Sequence, residues 1–86
     1  MKYALFALAN EATGEIINAY VQDCNVDIFE GIGHVAFTHD IQEAKHFDST
    51  IAAMEYWKRQ SRVRPKRPDG RPNRPLTAYT MSIETV

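Results

Sequence analysis

Eighty-six residues with a net charge of −1 and 44% apolar side chains fit one folded domain spanning 1–86 and exclude a chain that is disordered throughout. A chain of this size buries about 60–65% of the surface it exposes when unfolded, which allows one modest core and little room for a deep internal active site. No apolar run approaches the ~18 residues of a membrane span, so no membrane is expected. The single Cys24 excludes an internal disulfide and points to a reducing compartment, the cytoplasm.

The N-terminal run Tyr3-Ala4-Leu5-Phe6-Ala7-Leu8-Ala9 follows one lysine, as in a signal peptide, but stops at Asn10-Glu11 and is too short for an h-region. It reads instead as a strand from Lys2 to Ala9 with two apolar faces, hence a central one. Asn10 to Gly14 is a loop. Glu15 to Gln22 is a second strand, giving an antiparallel hairpin with a five-residue connection. Cys24 to Gly33 is ambiguous, and Val35-Ala36-Phe37 reads as a short strand. Asp40 and Glu43 fit a capping box for a short helix over Ile41–His46. Phe47 then acts as an apolar plug, Asp48-Ser49 supplies a second cap, and Thr50–Gln60 continues as helix. Ala53, Met54, Tyr56 and Trp57 share one arc, with Trp57 as the core anchor. Leu76 to Val86 alternates cleanly, with Tyr79, Met81 and Ile83 inward. The expected fold is α+β: a small antiparallel sheet with a helical segment on one face, in the order β-β-(β)-α-α-loop-β.

Charge is divided sharply along this chain. Residues 1–57 hold nine acidic and two basic side chains, whereas 58–75 hold eight basic ones against Asp69 alone. Each half is thus at seven charges of opposite sign, a pattern that suits polyanionic or oppositely charged partners. Each of the four prolines follows an arginine, at Arg64, Arg67, Arg71 and Arg74. Residues before proline are pushed toward extended geometry, and Asp69-Gly70 signals a turn. The segment therefore reads as two extended arms joined by a turn. At three residues per extended turn, Arg64 shares a face with Arg67, and Arg71 with Arg74.

This basic loop carries the candidate binding residues: Arg59, Arg62, Arg64, Lys66, Arg67, Arg71 and Arg74. The guanidinium fork suits phosphate and carboxylate alike. Stiff arms lower the ordering cost of binding. The expected partner is a protein, and the alternative is a nucleic acid contacted through phosphates. No aromatic lies between Arg59 and Pro75, so base stacking within the loop is absent. The bland alternative is a solvated loop pinned to the acidic body by weak ion pairs.

Asp40, Ala44, Phe47, Ser49 and Ala53 form the pattern D-x-x-x-A-x-x-F-x-S-x-x-x-A. It resembles a segment of small proteins encoded by phages and prophages, where it follows a β-hairpin and precedes a last strand. The resemblance implies an accessory role. Some such proteins block host defence, anti-CRISPR proteins that bind an effector complex among them. The basic loop lies outside the pattern.

Other constellations are weak. Cys24, His34, His39 and His46 have zinc-ligand chemistry but lack the paired spacing of structural sites. Asp40, Asp48 and Ser49 belong at helix caps rather than in a catalytic set, and Gly31-Ile32-Gly33 lacks the third glycine of a phosphate cradle. The expectation is a non-enzymatic binding protein, by the resemblance a phage or prophage accessory protein, with no cofactor, no metal and no catalytic residue.

Overall fold

Four strands form: β1 (Tyr3–Asn10), β2 (Ile16–Asn25), β3 (His34–Thr38) and β4 (Tyr79–Thr85). In the computed structural model, which describes residues 1–86, they make one antiparallel sheet in the order β3-β2-β1-β4. The doubly apolar first strand is central, as its pattern requires. One helix, α1 (Thr50–Trp57), packs on one face. The core joins Leu5, Val21, Cys24, Val26, Phe47, Ala53, Tyr56 and Leu76, with Tyr79, Met81 and Ile83 packed against it. Phe6 points the other way and meets Tyr20 edge-on, centroids 5.0 Å apart. Val21 and Cys24 both face the core although three residues apart. The pairing shifts between Val21↔Phe37 and Asp23↔Ala36, so Gln22 bulges and resets the alternation.

The helix expected over 41–46 does not form; its residues are turns. The Asp40 carboxylate accepts from the Gln42 N–H at 2.9 Å, making a local turn rather than a capping box. The chain then commits to the sheet. Lys45 N–H donates to the Val21 carbonyl at 3.0 Å, and Tyr3 and Phe47 exchange backbone hydrogen bonds of 2.9 and 2.8 Å. A six-residue helix carries the nucleation cost with few bonds to offset it, so pairing at the sheet end wins. Each position of the D-x-x-x-A-x-x-F-x-S-x-x-x-A pattern has a place in this arrangement. Asp40 closes the turn, Ala44, Phe47 and Ala53 are buried, and Ser49 Oγ caps α1 by accepting from Ala52 N–H at 3.1 Å.

Helix α1 stops at Trp57 instead of Gln60. Arg59 N–H already reaches back only three residues, to the Tyr56 carbonyl, and Ser61 is drawn into the next loop. Tyr56, not Trp57, is the buried aromatic of the helix, its ring tilted against Phe47 with centroids 5.2 Å apart. Trp57 is half-buried at the core's edge. The last strand begins at Tyr79 rather than Leu76. Pro75–Ala78 form a 3-10 turn, with Pro75 where no N–H is needed and Leu76 buried beneath it. No helix is long and apolar enough to cross a membrane.

Candidate functional site

The basic loop is an ordered structure with its own polar base. Asp27, in the loop between β2 and β3, gathers three donors on one carboxylate oxygen: Ser61 Oγ at 3.1 Å, Arg62 N–H at 2.6 Å and Val63 N–H at 3.3 Å. These bonds, the Arg62 N–H foremost, hold the Asp27 carboxyl below the usual carboxylate range. Asn73 closes the base from the other side. Its Nδ2 donates to the Gly31 carbonyl at 2.6 Å and the Arg64 carbonyl at 2.9 Å, while its backbone accepts from Ser61 N–H at 2.8 Å and donates to the Pro65 carbonyl at 2.9 Å. Ser61 and Asn73 are the two buried polar residues of the chain. Gly31 sits at φ +88, and a Cβ there would lie 2.5 Å from Arg64 Cβ, so only glycine lets the two loops meet.

Above this base the two arms run antiparallel, as their prolines suggest. Lys66 bridges Pro72, Arg67 N–H donates to the Arg71 carbonyl at 2.8 Å, and Asp69-Gly70 forms the tip. No cation of the loop forms an ion pair with the acidic body. The only ion pairs are Lys2 with Asp48, and Arg71 with its neighbour Asp69 at 3.9 Å. Hydrogen bonds to Asp27, Asn73 and the backbone anchor the segment, which leaves Arg62, Arg64, Lys66, Arg67 and Arg71 exposed.

The candidate cations divide between surfaces. Arg67, Arg71 and Arg74 line one groove of about 380 Å³ together with Trp57, Lys58, Pro72 and Thr77. Arg59 and Arg62 line a separate concavity beside Asp27. Arg59 is partly spent there, since its Nη2 donates to the Cys24 carbonyl at 3.3 Å and its guanidinium lies 4.9 Å from the Tyr56 ring centre. Arg64 and Lys66 are exposed but line neither concavity. Of the expected pair Arg64 and Arg67, only Arg67 lines the groove, whereas Arg71 and Arg74 both do.

Four groove residues, Trp57, Lys58, Pro72 and Thr77, lie outside the candidate set. Lys58 faces away from the core along the helix, and Trp57 looks like core. The signal was their position, the last helical residue and its C-cap, where the chain turns directly into the basic loop. Trp57 Nε1 and Arg74 Nε are buried with no hydrogen-bond partner in the protein. Buried donors are normally satisfied, so these two are exceptions, and neither reaches solvent. Trp57 also walls an apolar cleft of about 140 Å³ with Leu5, Met54, Met81 and Ile83.

No carboxylate, imidazole or thiol lines the cationic groove. Cys24 is buried, and desolvation pushes its thiol above the ordinary range, away from the reactive thiolate. His34, His39 and His46 are exposed, and no three His, Cys, Asp or Glu side chains gather as a metal site. No family model matches the sequence, and no curated protein or solved structure is significantly similar to it.

Proposed function

We propose that this chain is a non-enzymatic binding protein whose working surface is the basic loop, and that its partner is a nucleic acid held through phosphates. The observation that carries the reading is the convergence of Lys58, Arg67, Arg71 and Arg74 on one groove beside an indole, with Asp69 the only carboxylate paired to any of them. Arginine forks match phosphate oxygens in pairs. The hairpin's internal bonds order the cations before the ligand arrives, which lowers the cost of binding. The groove's lack of carboxylate, imidazole and thiol groups supports binding rather than catalysis.

Salt titration tests this. Each neutralised phosphate on a single strand contributes about −0.7 to the slope of log K against log salt. Four contacts give a slope near −3, or roughly fiftyfold weaker binding between 50 and 200 mM salt. The triple variant Lys58→Gln, Arg67→Gln, Arg71→Gln spares Arg74, whose Nε is buried. It should fold normally and flatten the slope by about 2. Binding that ignores salt, or that survives this variant intact, overturns the reading.

A second reading is supported by the loop between β2 and β3. Phe29 is 60% exposed and Ile32 is 73% exposed. Phe29 adopts a left-handed φ of +55, uncommon for a bulky residue and costly unless the surroundings impose it. Exposed Val63 adjoins them, since its N–H reaches Asp27. Such an apolar display suits a protein partner, and the accessory, host-defence-inhibiting role of the phage-encoded proteins is its sharpest form. Binding of this kind depends little on salt and is lost in Phe29→Ser with Ile32→Ser.

A further inference from the structure

Trp57 lines two concavities of opposite character. On one side lie Lys58, Arg67, Arg71 and Arg74. On the other lies the cleft of Leu5, Met54, Met81 and Ile83, apolar throughout. Both concavities include Trp57 in their lining, so one ligand can place a charged group in one and an apolar group in the other.

The volume limits the apolar part. A cavity of about 150 Å³ accepts a benzene-sized ring, and this cleft measures about 140 Å³. It matches one six-membered ring, and because the cleft is open the second ring of a fused bicycle would lie outside it. None of its five lining residues offers a carboxylate, amide or hydroxyl to read a base edge, so selection is by size and stacking. Thioether sulfur and indole both pack well on flat π-systems.

Resting on the phosphate reading above, we infer that the Trp57 cleft and the cationic groove form one site for single-stranded nucleic acid, in which a pyrimidine base enters the apolar cleft while the adjoining phosphates lie among Lys58, Arg67, Arg71 and Arg74. Sequence preference then comes from ring size, pyrimidine over purine, with no hydrogen-bond code.

Trp57 is the only tryptophan in the chain, so its fluorescence reports on the site. The test compares three single-stranded probes of about ten nucleotides: oligothymidylate, oligodeoxyadenylate and an abasic strand of equal phosphate count. Stacking of one base is worth about tenfold in affinity. Oligothymidylate is expected to bind about tenfold tighter than the abasic strand and to quench Trp57, with oligodeoxyadenylate weaker than oligothymidylate. Met54→Glu, at an exposed helix position, places a carboxylate on the cleft. It should erase the preference for thymidylate over the abasic strand, and its negative charge should weaken salt-dependent binding of every probe. Equal affinity for thymidylate and abasic strands overturns the base site but leaves the phosphate reading standing. Adenylate binding as tight as thymidylate overturns the size rule. Failure of all three probes to bind overturns the phosphate reading, and the base site with it. Circular dichroism confirms that Met54→Glu is folded, and Met54→Leu, which keeps the cleft apolar, should retain the preference.

Discussion

Asn73→Ala removes the clamp that joins the basic loop to the loop between β2 and β3. The side chain is 9% exposed and donates two hydrogen bonds, to the Gly31 and Arg64 carbonyls. Its backbone bonds to Ser61 and Pro65 survive the substitution. The loss is therefore two side-chain bonds plus the desolvation of two carbonyls left without this donor. At about 1–1.5 kcal/mol per bond the expected cost is ~2–3 kcal/mol. In a domain of this size each kcal/mol moves Tm by about 4–8 °C, so a drop of roughly 10–20 °C is expected in a thermal melt followed by circular dichroism. If the base instead opens locally, the melt moves less, and hydrogen exchange shows it: the amides of Ser61 and Asn73 lose protection while those of β1 keep theirs. Either way Arg67 and Arg71 lose their fixed placement, and affinity for a phosphate-bearing strand falls. A Tm within about 2 °C of the parent, together with unchanged protection of both amides, refutes the reasoning and shows that Asn73 is not the clamp.

Three further outcomes follow from the same geometry. Asp27 has its carboxyl pKa lowered by the Arg62, Val63 and Ser61 donors, so its contribution is present above the ordinary carboxylate pKa of about 4 and fades as pH falls through the lower folded value; Asp27→Asn should melt below the parent at neutral pH and converge with it in acid, and a constant gap across a pH series of melts contradicts this. Gly31→Ala should destabilise more than Gly14→Ala. Both glycines have positive φ, at +88 and +75, but only Gly31 would bring a Cβ against Arg64, so equal losses in denaturant titrations argue against close loop docking. Phe47→Ala should cost about 3–5 kcal/mol as a buried aromatic leaving the core, and more than Trp57→Ala, because Trp57 is only half-buried; urea unfolding that ranks them the other way means the core is anchored by Trp57.

Much of the architecture is written in local patterns. Doubly apolar alternation places β1 between β2 and β4, although α1 covers only its Leu5 face and Leu8 on the other face is 41% exposed. The arginine–proline pairs and Asp69-Gly70 make the hairpin arms and tip, because proline forbids helix and glycine permits the turn. Ser49 caps its helix through a bond to a residue three positions away, which sequence spacing displays directly. Residues 41–46 show the limit. Their cap and spacing favour a helix, but Val21 and Tyr3 compete for the same backbone groups from distant positions, and nothing nearby in sequence records that competition. The basic charge of 58–75 was likewise plain in the sequence, but not which cations share a groove. That depends on Asp27, Gly31 and Asn73, which bind together segments more than thirty residues apart and so fix the loop's direction. Trp57 was misread as core for the same reason. Helical spacing puts it beside Tyr56 on the inward arc, and only the path of the chain after Lys58 brings the arginine groove against it. Short-range periodicity determined the strands, the helix and the stiffness of the loop; long-range hydrogen bonds decided where the charges point.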